Sequence, residues 1–232
     1  MKAVIMAGGE GTRLRPVTYS IPKPLLPVGK KPIAEIIVNQ LKHYGFDEII
    51  ISVGYKAELI KKFFNNGADF GVNISYIEEK TKLGTAGSLF YLKDIWKDNF
   101  IVMMGDVLSE INLKDLFEYH QKSGNLITAC TSNYSQQIPF GVLEVNGGKI
   151  CEVKEKPEMS FKVNAGIYCI SPQALSHIPE NTFYNMTDLI NSAITDKKPV
   201  GAYEIKGLWT DLGRSEDFEL AVKTIESMKL MS

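Results

Sequence analysis

Short apolar runs alternate with helix-spaced patterns along the first 135 or so residues. Ala3 to Met6, Glu48 to Val53 and Phe100 to Met104 are nearly continuous apolar segments, which predicts strands buried on both faces. Between Pro32 and Tyr44, the residues Ile33, Ile36, Ile37, Leu41 and Tyr44 recur at helical spacing, and Gly45 stands where a helix C-cap belongs. Ala57 to Phe64, Ala86 to Trp96 and Leu113 to His120 also read as helices. Val72 to Ile77 and Leu126 to Thr131 read as extended segments. This alternation predicts an α/β fold, a Rossmann-like and mostly parallel sheet flanked by helices, with right-handed crossovers. Ligands of such sheets bind at the carboxyl ends of the strands, which selects the loops after Met6, Val53, Ile77 and Met104.

The pattern changes beyond about residue 135. Phe140 to Val145 and Lys149 to Lys154 flank Asn146-Gly147-Gly148, the signature of a hairpin with a glycine turn. A strand over Val163 to Ile170, a helix over Met186 to Ile194, a strand over Gly201 to Ile205 and an amphipathic helix over Ser215 to Met228 complete the chain. No linker rich in Pro, Gly or Ser divides it, and no internal repeat is visible. A single domain over 1–232 is expected, made of a first half (1–135) and a smaller, β-rich second half (136–232) that ends in a helix.

The first strand runs into Ala7-Gly8-Gly9-Glu10-Gly11-Thr12-Arg13-Leu14-Arg15-Pro16. Consecutive amides in a glycine-rich loop form a concave anion site, and arginines can grip phosphate in a bidentate way. Pro22 and Pro24 flank Lys23 and restrict its backbone. A Walker A loop is excluded because no GK[ST] follows. A dinucleotide fingerprint is disfavoured because Leu14 stands where the third glycine belongs. Gly8, Gly9, Gly11, Thr12, Arg13, Arg15 and Lys23 are therefore candidates to hold phosphate. Asp106 follows a buried strand and Asp211 lies in Trp209-Thr-Asp-Leu-Gly213. Each can equally cap a neighbouring segment.

Charge and composition narrow the partners. Lys and Arg number 26 against 27 Asp and Glu, and hydrophobic residues make up 44%. This balance fits a folded soluble protein and argues against general binding to nucleic acid or membrane surfaces. Cys130, Cys151 and Cys169 are scattered, so neither a disulfide framework nor a zinc ribbon is expected. The amino terminus lacks a signal-peptide pattern and no apolar run approaches about 18 residues, so the cytoplasm is the expected location.

Gly8 to Pro16 followed by Pro22-Lys23-Pro24 resembles the signature of the sugar-nucleotide pyrophosphorylases, the NDP-sugar nucleotidyltransferases. The likeness runs from Met1 to about Leu220, and the later motifs occur in the family's order. It implies that 1–135 binds the nucleotide and 136–232 the sugar. It implies catalytic roles for Arg13, Lys23, Asp106 and Asp211, the two aspartates holding Mg²⁺ at the phosphates of an NTP. Magnesium suits this because it takes one or two carboxylates and completes its shell with water and phosphate. The nucleotide would meet Ala7, Gly8, Gly9, Gly11, Thr12 and Glu79, with Gly84 and Thr85 of the LGTAG loop near the base. The sugar phosphate would meet Gly141, Glu155, Lys156 and Asn164. Arg214 stands where the family usually has Thr, which leaves Asp211 in place and its loop less certain.

Glu79 carries the base expectation. Thymidylyl-type relatives commonly have Gln near this position, and an amide complements thymine or uracil. A carboxylate only accepts and suits the two adjacent donors of guanine. The reading therefore favours GTP over UTP or dTTP, the alternative being that Glu78 and Glu79 are only a pair of surface charges. It is similar to mannose-1-phosphate guanylyltransferase-like enzymes, with a mannose or glucosamine 1-phosphate as acceptor. A non-catalytic regulatory subunit of the same fold is disfavoured because all the charged site residues are present. A homo-oligomer, or a regulatory domain absent from this sequence, is left open.

Overall fold

The computed structural model describes residues 1–213 together with Phe218 and Ala221. The helix expected over Ser215 to Met228 otherwise lies outside the described residues. β1 (Lys2–Ala7) leads through short 3-10 turns and the small hairpin of β2 (Pro27–Val28) and β3 (Lys31–Pro32) into α1 (Ile33–His43). Then come β4 (Glu48–Val53), α2 (Ala57–Phe64), β5 (Asn73–Glu78), β6 (Phe100–Met104), β7 (Val107–Ser109) and α3 (Leu113–Ser123). The remainder comprises β8 (Ile127–Gln137), β9 (Val142–Asn146), β10 (Lys149–Lys154), β11 (Glu158–Ile170), α4 (Met186–Thr195), β12 (Val200–Glu204) and β13 (Trp209–Asp211). Among the described residues no helix is long and apolar enough to cross a membrane.

Seven strands form one sheet in the order β12-β8-β11-β6-β1-β4-β5. β5, β4, β1 and β6 are parallel, β11 runs antiparallel between β6 and β8, and β12 is parallel to β8. The chain steps from β1 outward to β4 and β5 and then returns to β6 on the other side of β1. That reversal is a topological switch point, and it opens a crevice at the carboxyl ends of β1 and β6.

The apolar runs are apolar because both faces of the sheet are covered. Alternate residues of β1 point to opposite sides: Ala3, Ile5 and Ala7 pack in the layer with α1 and α2, whereas Val4 and Met6 pack with Trp96, Leu89 and α4. Ile5 is fully buried at the sheet's centre, so Ile5→Ala would cost about 2–5 kcal/mol.

Three features depart from the expected elements. The segment from Ala86 to Trp96 forms a 3-10 helix over Gly87–Leu92 followed by turns. Leu89 and Leu92, three apart, eclipse on such a turn and both are fully buried. β8 and β11 are much longer than their apolar cores, because Ser132 to Gln137 pairs with Glu158 to Val163 as an exposed ribbon. Backbone pairing holds that ribbon; Met159, Phe161 and Val163 alternate with polar residues on one strand, but Ser132 to Gln137 leaves no apolar pattern to read. The third is the short antiparallel pair β7–β13, which places Asp211 opposite Val107. The expected hairpin forms as β9–β10 around Gly147-Gly148, whose φ angles of 57° and 77° suit a two-residue turn that needs both positive.

Candidate active site

A cavity of about 440 Å³ opens at the carboxyl ends of β1 and β6. Ala7, Gly8, Gly9, Gly11, Thr12 and Arg13 line one side, with Lys23, Glu79, Gly84, Thr85 and Asp106 around the rest. Gly8 permits a close approach: a Cβ there would lie 2.8 Å from Oε1 of Glu79. The glycine loop is thus pressed against the acidic residue that follows β5, two strands away in the sheet.

The charged centre is assembled by distant segments. Pro22 and Pro24 frame a 3-10 turn that starts at Lys23, which is only 8% exposed. Its ammonium donates to the Asp106 carboxylate. Asp106 leads into β7, and the Leu212 N–H donates to the Asp106 carbonyl oxygen at 2.9 Å, so Asp211, opposite Val107, lies diagonally from Asp106 and within reach of its charge. The Trp209 indole N–H donates to the Ala165 carbonyl at 2.8 Å and ties this ribbon to β11. A Cβ at Gly213 would lie 3.0 Å from both Arg13 Nη2 and Asp211 Oδ1, so guanidinium and carboxylate flank the same glycine.

Asp211 Oδ1 is buried and has no hydrogen-bond partner. Burial raises the Asp211 carboxyl above its ordinary value, and the negative charge of Asp106 adds to this, against the pull of Lys23, the Gly213 N–H and Arg13. A buried, unsatisfied carboxylate oxygen costs free energy unless something compensates it. Two carboxylates, one of them with a buried unpaired oxygen, beside a glycine loop fit a hard cation such as Mg²⁺ that draws its other ligands from water and phosphate. Among the described residues no group of three carboxylate, histidine or cysteine side chains gathers into a full metal cage.

The side beneath β5 is held by hydrogen bonds. Ser52 Oγ donates to Glu79 Oε1 at 2.8 Å, and the Leu83 N–H reaches Oε2 at 3.3 Å. Burial raises the Glu79 pKa, while Ser52, Leu83 and Ser88 act against that rise. Thr85 does not cap a following α-helix; its hydroxyl accepts from the Met186 N–H at 2.9 Å, at the start of α4. The N–H groups of Ala86 and Gly87 donate to the Tyr184 carbonyl. The loop is thereby fastened to residues 182–186, and Phe183 and Asn185 join the cavity wall. Glu10 and Lys82 also line it and pair at 2.7 Å, with Arg15 3.1 Å from the same carboxylate. The sequence reading missed these four wall residues. Asn185 and Asp188 form a capping box that is legible as a helix start, but nothing in the sequence joins it to a loop 100 positions earlier.

The candidates of the second half are placed differently. Gly141, Glu155, Lys156 and Asn164 do not line the cavity. Gly141 and Glu155 meet at the open end of the hairpin, where a Cβ at Gly141 would lie 3.1 Å from Glu155 Oε2. Lys156 follows with φ of 44° and is exposed. Asn164 sits at an irregularity of β11, where its side-chain oxygen accepts from the Gly166 N–H at 3.1 Å. A Cβ at Gly166 would be 3.1 Å from side-chain atoms of Met104 and Val107, which brings Asn164 close to the strand end that carries Asp106. Arg214 lies outside the described residues.

Comparison with known proteins places this arrangement. Residues 2–228 match the family model described as nucleotidyl transferase. The chain is 32% identical to a UTP–glucose-1-phosphate uridylyltransferase of Synechocystis, over 99% of this chain and 64% of that protein. It is 34% identical to the mannose-1-phosphate guanylyltransferase catalytic subunit beta of Danio rerio, over 94% of this chain and 62% of that protein. The chain thus spans a little under two-thirds of the length of these relatives. A solved structure of a putative glucose-1-phosphate thymidylyltransferase from Bacillus anthracis superposes with a TM-score of 0.81 at 28% identity, covering 99% of this chain and 96% of that one.

Proposed function

The chain belongs to the nucleotidyl transferase family, and from that premise we propose that it joins a nucleoside triphosphate to a sugar 1-phosphate, releasing pyrophosphate and an NDP-sugar. One observation supports the reading: Lys23 holds Asp106 in the wall of the glycine-loop cavity, and Asp211, whose carboxyl feels the charge of Asp106, shares with Arg13 the cavity-lining Gly213. In the reaction a sugar-phosphate oxygen attacks the α-phosphorus in line. That oxygen is already anionic at neutral pH, so no strong general base is needed, and catalysis is alignment and charge compensation. Arg13 stabilises the leaving pyrophosphate and Lys23 the region of the α-phosphate. The amides from Ala7 to Thr12 cradle the nucleotide. Asp106 and Asp211 would hold Mg²⁺, which when bound neutralises charge on the triphosphate. Glu155 and Asn164 receive sugar hydroxyls, and Lys156 the sugar phosphate.

GTP is the favoured nucleotide and a mannose or glucosamine 1-phosphate the favoured acceptor. The Danio rerio relative, named for mannose 1-phosphate and guanylyl transfer, supports this, as does the acceptor-only chemistry of an ionised Glu79. A second reading, UTP or dTTP, is favoured by the Synechocystis relative, named for UTP, and by the Bacillus anthracis structure, titled a thymidylyltransferase. Pyrophosphate release over a grid of NTPs and aldose 1-phosphates with Mg²⁺ tests all of this. Turnover greatest with GTP and a mannose-type phosphate is expected. Greatest turnover with UTP or dTTP overturns the base assignment, and no release with any pair overturns the activity.

A further inference from the structure

β4 is apolar except at one interior position, Ser52, and the 3-10 helix Gly87–Leu92 carries one buried hydroxyl, Ser88. Both are 0% exposed. Their oxygens are 2.8 Å apart, and Ser52 Oγ is also 2.8 Å from Glu79 Oε1. Ser52 has a single proton, and an ionised carboxylate is the stronger acceptor. The chain of donors therefore runs from the Ser88 hydroxyl to Ser52, and from Ser52 to Glu79. The Leu83 N–H holds the other carboxylate oxygen.

A buried hydroxyl in the middle of a sheet is an expensive choice for packing alone, since Ala or Val would fill the space with no polar group to satisfy. Here both hydroxyls are spent on one side chain, and that side chain faces the nucleotide cavity against Gly8. We propose that Ser52 and Ser88 are specificity-determining positioning residues, a two-hydroxyl relay that fixes the rotamer of Glu79 and keeps its carboxylate an acceptor, so that the site selects a base presenting adjacent donors. The proposal rests on the guanine reading of Glu79. Without the relay the carboxyl would turn or take up a proton, and as a mixed donor and acceptor it would admit uracil.

The readout is the ratio of kcat/KM for GTP to that for UTP, with one sugar phosphate and the full chain. A general folding defect lowers both terms and leaves the ratio where it was. Ser52→Ala should lower the ratio about tenfold, the scale of one hydrogen bond to a charged group, and Ser88→Ala by a smaller factor. Ser52→Cys, which keeps the volume but weakens the donor, carries the test if Ser52→Ala does not fold. In a Glu79→Gln background Ser52→Ala should leave the ratio unchanged, because neighbours that act through one another are not additive. A wild-type preference for UTP overturns the guanine reading and the relay with it. A wild-type preference for GTP that survives both serine substitutions, or a Ser52 effect equally large beside Glu79→Gln, overturns the relay alone.

Discussion

The crevice at the ends of β1 and β6 and the hairpin β9–β10 are built in opposite ways. Around the crevice, every strand that ends there is buried through most of its length, and Lys23, Asp106, Asp211 and Glu79 are each held by another segment of the chain. Along the hairpin, Leu143, Val145, Ile150 and Val153 are 51–61% exposed on one face. Glu155 and Lys156 follow directly from it. Groups that must compensate charge with little reorganisation sit on the packed sheet, where the fold fixes them before any ligand arrives. Groups assigned to the sugar phosphate sit where packing fixes little.

Substitutions at the two ends should therefore fail in different ways. Asp106→Asn and Asp211→Asn should each lower turnover at least about a hundredfold, read as pyrophosphate release with folding checked by circular dichroism. Chelation of Mg²⁺ should do the same and be reversed by adding it back. Near-normal rates in both variants would remove the metal assignment. Lys156→Ala should raise the KM for the sugar phosphate tenfold or more, the loss of one charge-assisted contact, with NTP binding retained. Separate titration of each substrate shows whether the two effects divide.

Glu79→Gln sharpens the comparison within the crevice. It should move the GTP-to-UTP ratio toward UTP about tenfold, measured by competition at fixed sugar phosphate. The smallest effect is one of pH. Burial holds the Glu79 pKa above the ordinary value of 4.5, so acid returns its proton sooner than for a free glutamate. GTP selectivity should decline severalfold as pH falls through that raised value and be complete above it. A ratio cancels the titration of phosphates that both nucleotides share. A flat ratio down to the ordinary glutamate range would mean that Glu79 does not read the base.

How much of this was legible in the sequence depends on range. Glu48 to Val53, Ala57 to Phe64 and Phe100 to Met104 fold as their patterns predict, because burial on a sheet writes itself into consecutive residues. The segment Ala86 to Trp96 shows the limit: its apolar spacing marks the buried face, but its N–H groups mostly reach back three residues, as from Leu89 to Ala86 and from Lys93 to Phe90, so the turn is 3-10 and not α-helical. Ser132 to Gln137 pairs as a strand with no apolar signal at all.

The alternation of apolar runs determined the α/β class, and Ala7 to Pro16 with Pro22-Lys23-Pro24 marked the loop that lines the cavity, since both are local and need only neighbouring residues. Only the tertiary structure decided that Asp211 would lie within reach of Asp106, that Phe183 and Asn185 would wall the cavity, and that Ser52 would hold Glu79. Those contacts join segments separated by tens of residues or more. They follow from the order of strands and the closeness of their ends, which no stretch of sequence specifies by itself.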